Sequence, residues 1–180
     1  MSKENMTIAD FSYNSPAHRL LFGWGARAAL KEELEQLKLR RPMLLCSPRA
    51  ARSREVVDLV RSLGLNDEAV FSAVGSHSPL SSAFEGWQRA RALEADCLIS
   101  FGGGSASDTM KGIALACAED GRILDFTLER LPDGRLKNPL STRTKLPGIA
   151  VSTTVSGAEI TPAFALTDER GKKILFRDAS

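Results

Sequence analysis

The sequence predicts an α/β domain, a parallel sheet flanked by helices with a β-hairpin near the C-terminus. Three observations lead there. Short apolar runs at 43–46, 69–74, 97–101 and 148–151 alternate with longer amphipathic stretches, and a parallel neighbour needs a crossover that a helix supplies. The composition, 43% hydrophobic and 26% charged, is that of an ordinary soluble globular chain. The length, 180 residues, suits one core better than two, so residues 1–180 are expected to form a single domain.

In order along the chain, residues 26–39 carry Leu30, Leu34 and Leu37 at helical spacing among Lys31, Glu32, Glu33, Glu35 and Lys38. Met43 to Cys46, bounded by Pro42 and Pro48, reads as a buried strand. Ser53 is placed to cap a helix presenting Val56, Val57, Val60 and Leu63, with Gly64 at its C-terminal cap. A second strand over 69–74 precedes a helix opened by Ser81 or Ser82 and carrying Phe84, Trp87, Ala90 and Ala95. Cys97 to Phe101 is the third strand, followed by a helix with Met110, Ile113, Ala114 and Cys117 inward. Between 119 and 146 the turn signals Asp120-Gly121, Pro132-Asp133-Gly134 and Asn138-Pro139 predict a long surface excursion. Residues 148–151 return to strand character, and 160–176 read as two extended arms about Asp168-Glu169-Arg170-Gly171.

Several function classes fall away. Lys plus Arg total 24 against 22 Asp plus Glu, a formal charge of +2, well short of the basic excess expected of a nucleic-acid binder. No run of about 18 apolar residues exists to cross a membrane, and Met1 to Asp10 lacks the apolar stretch of a signal peptide. A cytoplasmic location is the default expectation. Cys46, Cys97 and Cys117 sit in apolar segments without metal-ligand spacing, as buried thiols do.

The segment that carries chemistry is Leu98-Ile-Ser-Phe-Gly102-Gly-Gly-Ser105, a strand running through three glycines into a helix. Without Cβ atoms the backbone N–H groups can close on an anion, and the helix N-terminus adds about 0.3 to 2 kcal/mol toward negative charge. Ser105 supplies a hydroxyl at the same point. The alternative is that the glycines serve only a tight strand-to-helix turn. The spacing is neither GxGxxG nor a P-loop.

The wider stretch Phe101-Gly-Gly-Gly-Ser-Ala-Ser-Asp108-Thr-Met-Lys111 resembles the GGGSxxDxxK signature of the iron-containing (group III) alcohol dehydrogenase family. Leu21-Phe-Gly-Trp-Gly-Ala26 resembles its FGxGA turn, Val151 to Pro162 its PTT...GSExTP segment, and Phe164 to Glu169 the hairpin that follows. The short loop from Thr153 to Glu159, Cys46-Ser47-Pro48 after the first strand, and His77 two residues before Pro79 are similar to the maleylacetate reductase branch.

That resemblance implies a Rossmann-like cofactor domain and an NAD(P)-dependent oxidoreductase acting on an alcohol, an aldehyde or an oxo-acid such as maleylacetate. It implies that Gly102, Gly103, Gly104 and Ser105 hold the dinucleotide pyrophosphate. Asp108 would orient the glycine loop or the nicotinamide side, Thr153 and Thr154 would contact the cofactor, and Lys173 would reach a ribose or phosphate. Each has a plainer alternative. Asp108 and Lys111 could form a surface ion pair, Thr153 and Thr154 could satisfy strand-end backbone, and Lys172 with Lys173 could be a solvated turn. His77 is read as structural or a substrate-side neighbour, not a base.

A carboxylate after the first strand would bond the ribose hydroxyls and repel a 2′-phosphate. Ser47 stands there, and Arg49, Arg52 and Arg54 follow, so NADP is expected to be accepted, whether or not NAD is too. The alternative is that these arginines are only the wet face of a helix. In two places the sequence departs from the family pattern: Ser152 replaces the proline before the threonine pair, and Gly157-Ala158-Glu159 replaces GSE. The family's helical metal-binding domain would begin about where this chain ends, so it is expected to be absent. With His18 and His77 the only histidines, neither Fe nor Zn is expected on this chain. Half the reaction cleft would come from that domain, so the chain alone is expected to be nearly inactive, and uncovered apolar surface would favour a homodimer. Two other readings remain at this stage: a non-catalytic nucleotide-binding or interaction module, and a relative of glycerol-phosphate dehydrogenase or dehydroquinate synthase.

Overall fold

A computed structural model describes residues 18–177, so both ends of the expected 1–180 domain lie outside the described residues. In chain order the elements are a 3-10 turn (Ala26–Ala29), α1 (Leu30–Gln36), β1 (Pro42–Cys46), α2 (Pro48–Ala51), α3 (Arg54–Leu63), a 3-10 turn (Asp67–Ala69), β2 (Val70–Phe71), α4 (Leu80–Ala92), β3 (Cys97–Gly102), α5 (Gly104–Ala118), a 3-10 turn (Ile123–Phe126), β4 (Glu129–Arg130), β5 (Leu136–Lys137), β6 (Gly148–Ser152), β7 (Ala163–Thr167) and β8 (Lys173–Arg177). Strands β2, β1, β3 and β6 lie side by side in that order, all parallel, as the alternation of apolar runs and helices requires.

The strands of this sheet are apolar on both faces because both are covered. Met43, Leu45 and Leu98 point to one side, where they meet Ala90 of α4 and Met110 and Ile113 of α5. Leu44, Cys46, Ile99 and Phe101 point to the other, against Leu30 and Leu34 of α1 and Val56 and Leu59 of α3. Each fully buried Leu or Ile contributes about 1.5 to 3 kcal/mol by leaving water. A third layer lies beyond the α4 and α5 helices. Hairpin β7–β8 stacks Phe164 on Phe176 at 4.8 Å between ring centres, and this pair packs with Leu166 against Ala83, Leu115 and Ala116. Gly86 sets the close crossing of α4 and α5: a Cβ there would stand 2.3 Å from Ile113 Cδ1.

The helix signals hold at α3, where Ser53 Oγ accepts from Val56 N at 3.3 Å and Gly64 closes the helix at φ 65°. The buried face is Val56 and Leu59, while Val57 is exposed, one residue off the predicted stripe. The helix predicted over 26–39 begins as a 3-10 turn, and the strand over 69–74 shrinks to Val70–Phe71. Ser72 and Ala73 have left the ladder, since β2 is an edge with one partner and the chain there turns toward α4. Pro79, not Ser81 or Ser82, stands at the N-cap of α4, and Ser82 is buried with its hydroxyl donated to Ala73 O at 2.9 Å. Cys46 and Cys97 are buried and Cys117 half-buried, all three as free thiols. Burial pushes the Cys46 thiol up to about 11 and the Cys97 thiol up to about 12, so neither is a nucleophile at neutral pH.

Candidate functional site

Strand order creates the site. From β1 the chain crosses through α3 to β2 on one side, then through α4 to β3 on the other side of β1. The carboxyl ends of β1 and β3 therefore flank a topological switch point, where doubly wound sheets open a crevice for ligands. Ser47 follows β1, the glycine turn ends β3, and Thr153 and Thr154 follow β6. The registers Cys46 against Phe101 and Gly102 against Ser152 bring these three strand ends level.

Each glycine of the turn answers a close approach. Gly102 has φ 154°, and a Cβ there would lie 2.9 Å from Ala106 Cβ. At Gly103 it would meet Thr154 Oγ1 at 2.7 Å, and at Gly104 it would meet Ser156 Cβ at 3.2 Å. The loop after β6 thus rests directly on the turn, its first amide, Thr153 N, donating to Gly102 O at 2.9 Å. Ala106 N and Ser107 N return to Gly103 O, while among the described residues the N–H groups of Gly104 and Ser105 have no acceptor. Two outward amides at a helix N-terminus beside a threonine hydroxyl make a donor-rich edge suited to a phosphate oxygen. The missing Cβ atoms make room for Ala106, Thr154 and Ser156, and a dinucleotide fits the residues present through the two amides left without a backbone acceptor.

Around this edge the other expected residues are disposed unevenly. Ser47 Oγ accepts from Ala50 N at 3.2 Å and caps α2, leaving its hydroxyl proton to donate. Ser105 Oγ accepts from His77 N at 3.2 Å and its carbonyl from Ser78 Oγ at 3.2 Å. Asp108 Oδ2 accepts from Ala165 N on β7 at 3.2 Å, and burial raises its pKa against the opposing pull of that N–H, Lys111 and Lys173. Asp108 and Lys111 are thus not the surface ion pair that their spacing allowed. The Lys111 ammonium donates to Ala158 O, to Thr161 O at 2.6 Å and to Ala163 O at 3.0 Å. Lys173 opens β8 opposite Thr167 and is exposed. Arg49 and Arg52 are exposed, whereas Arg54 pairs with Asp58 at 3.5 Å. A cavity of 380 Å³ lined by Ala51, Val56, Val60, Val70 and Ser72 follows the β2 edge.

Sequence reasoning missed the brace behind Ser105. His77 and Ser78 take consecutive left-handed conformations, φ 61° and 54°, at a cost of order 1 to 3 kcal/mol each for non-glycine residues. Thr167 holds them there, its hydroxyl donating to His77 O at 2.6 Å and its amide to Ser78 O at 2.9 Å. Neither residue type signals such a conformation as glycine would, so the pattern gave no warning. His77 itself is exposed. Among the described residues no group of three or more His, Cys, Asp or Glu side chains could hold a metal ion, and no helix is long and apolar enough to cross a membrane.

The family model for iron-containing alcohol dehydrogenase matches residues 17–180, and the chain belongs to that family. Within it the chain is maleylacetate reductase-like. It is 30% identical over 167 residues to the maleylacetate reductase of Rhizobium sp. (strain MTP-10005), covering 93% of this chain and 39% of the relative. The crystal structure of maleylacetate reductase from Agrobacterium tumefaciens superposes with a TM-score of 0.69 at 28% identity, over 94% of this chain and 40% of that one. A sulfoacetaldehyde reductase from Bifidobacterium kashiwanohense, solved in complex with NAD+, shares the fold at a TM-score of 0.76 and 24% identity, over 94% of this chain and 43% of that one. This chain therefore spans well under half the length of the relatives it matches.

Proposed function

We propose that this chain carries the cofactor-binding part of an NAD(P)-dependent oxidoreductase that reduces a small carbonyl compound, an oxo-acid of the maleylacetate type. The observation that supports it is the meeting of three strand ends at the switch point, where Thr154 packs on Gly103 and the next two amides of the turn have no backbone acceptor among the described residues. A bound dinucleotide would supply the hydride. Gly102, Gly103, Gly104 and Ser105 would hold its pyrophosphate through backbone N–H groups and the α5 N-terminus. Thr153 and Thr154 would close over it from β6, Ser47 would donate to a ribose oxygen, and Lys173 would add positive charge from the hairpin. Asp108 would act through Ala165, fixing where the hairpin stands. Arg49 and Arg52 leave the ribose side positive, which supports acceptance of NADP alongside NAD. The chain's Leu20, Phe22 and Trp24 are widely exposed, which favours a second reading as an interaction module or homodimer half.

The test is a titration of the 180-residue chain with NADH and with NADPH, read by energy transfer from Trp24 and Trp87 to the reduced nicotinamide. Both should bind. Gly103→Val, whose side chain would occupy the place of Thr154 Oγ1, should weaken both by about tenfold or more, equivalent to 1.4 kcal/mol. The double charge reversal Arg49→Glu with Arg52→Glu should weaken NADPH by about tenfold more than NADH. Failure of the wild-type chain to bind either nucleotide would overturn the reading, and nucleotide binding unaffected by Gly103→Val would move the site elsewhere.

A further inference from the structure

The loop between β6 and β7, residues 153–162, is the part of the site with the least to hold it. None of residues 153–161 is buried, and Val155 is fully exposed at 103%. It contains no helix or strand. An apolar anchor therefore cannot keep Thr154 and Ser156 on the glycine turn. Among the described residues, Lys111 reaches the loop from the body of the protein. The Lys111 ammonium, projecting from the second turn of α5, gives its donors to the carbonyls of Ala158, Thr161 and Ala163. An ammonium has three donors and no acceptor, so these bonds use all of them.

The neighbouring carboxylates are otherwise engaged. Asp108 accepts from Ala165 N, and Glu159 Oε2 accepts from Ser156 Oγ at 2.8 Å. Both nonetheless favour the charged form of Lys111, against the burial that depresses its pKa. Charge-assisted bonds of this kind are about twice as strong as neutral ones. A lysine gathering three carbonyls converts ten residues of exposed chain into a fixed wall, and does so from the same helix whose N-terminus faces that wall.

We infer that Lys111 is the positioning residue of the dinucleotide site: it fixes the 153–162 loop against the glycine turn by binding two loop carbonyls and that of Ala163, where the loop enters β7, and touches no ligand itself. The inference rests on the reading that turn and loop together hold the dinucleotide, and its consequences divide accordingly. Without any nucleotide, Lys111→Met should expose the loop to a Glu-specific protease, cleavage after Glu159 rising by about tenfold or more as local opening becomes cheap. Cleavage after Glu129, in the exposed β4–β5 hairpin, should stay unchanged and serves as the control. With nucleotide, the same variant should bind NADPH about tenfold more weakly.

Lys111→Arg separates geometry from charge, because a planar guanidinium keeps the charge yet cannot converge on three carbonyls as a point donor does. It should leave cleavage fast and binding weak. The inference is overturned if Lys111→Met leaves cleavage after Glu159 at the wild-type rate. It is also overturned if cleavage accelerates equally after Glu129, which would mark general unfolding, or if Lys111→Arg restores full affinity, which would make the charge the agent. Should the wild-type chain bind neither nucleotide, the functional reading fails, and the protease comparison alone decides whether Lys111 holds the loop.

Discussion

Two irregular segments flank β6 and are held in opposite ways. The stretch from Glu119 to Pro147 is long, yet it is pinned by burial. Ile123 is wholly inside the third core layer with Phe164 and Phe176. The Glu119 carboxylate, itself buried, accepts from Ser141 Oγ at 2.6 Å, and Arg143 donates to Ala118 O at 3.0 Å. The 153–162 loop is shorter and has no buried residue, and hydrogen bonds to Lys111 and the glycine turn hold it. Length is therefore a poor guide to order. The segment that stands over the site is the one tied by a few exposed or half-buried polar bonds, which can be made and broken at small cost, while the one away from it is locked by a buried isoleucine and a buried carboxylate.

That contrast can be broken most severely at Ile123. Ile123→Ala removes a fully buried side chain and should lower unfolding stability by about 2 to 5 kcal/mol, measured by urea denaturation, with nucleotide affinity of the folded fraction unchanged. Loss of affinity together with stability would show the two segments to be coupled. Next in size, Glu119→Ala strips Ser141 of its acceptor and leaves Arg143 and Arg122, at 3.7 and 3.9 Å, without their shared carboxylate. The expected loss is about 1 to 3 kcal/mol, with faster tryptic cleavage at Arg130 and Arg135 and none of the accelerated cleavage after Glu159 that Lys111→Met should give.

How much of this was legible in the sequence follows from what each residue does. The parallel sheet was legible because both its faces are covered, so β1 reads as an unbroken apolar run and β3 as one interrupted only by the buried Ser100. The glycine turn was legible because only glycine leaves the space that Thr154 fills, where a Cβ at position 103 would lie 2.7 Å from Thr154 Oγ1. The 119–146 segment looked like surface throughout because its turn residues are many and its anchors few; a single isoleucine among charges carries no period. Asp108 and Lys111 looked like an i, i+3 ion pair because the sequence shows helix neighbours, whereas their partners lie about fifty residues on, in carbonyls and an amide that every residue possesses. Backbone acceptors leave no compositional trace.

The smallest effect concerns the other tether of α5 to this region, and it has a definite sign. Asp108 holds Ala165 N through a carboxylate that burial disfavours in its charged form, so its pKa is raised in the folded protein. A raised folded value means that the native state binds the proton more readily than the unfolded chain. The stability this proton confers is complete below the ordinary value of 3.8 and is lost as the pH climbs through the folded value. Asp108→Asn keeps an oxygen to accept from Ala165 N but cannot titrate. The variant should lie within about 1 kcal/mol of wild type at neutral pH, since one buried charge is exchanged for the loss of its attraction to Lys111 and Lys173. On acidification the wild type should gain on the variant, because only the wild type takes up the extra proton. Parallel urea titrations of the two proteins at several values between neutrality and the carboxylate range would show this as a stability difference, wild type minus variant, that rises as the pH falls. A difference that falls instead would mean that Ala165 N, Lys111 and Lys173 together outweigh burial, and that Asp108 holds the hairpin as a favoured charge, in the same manner as Lys111 holds the loop.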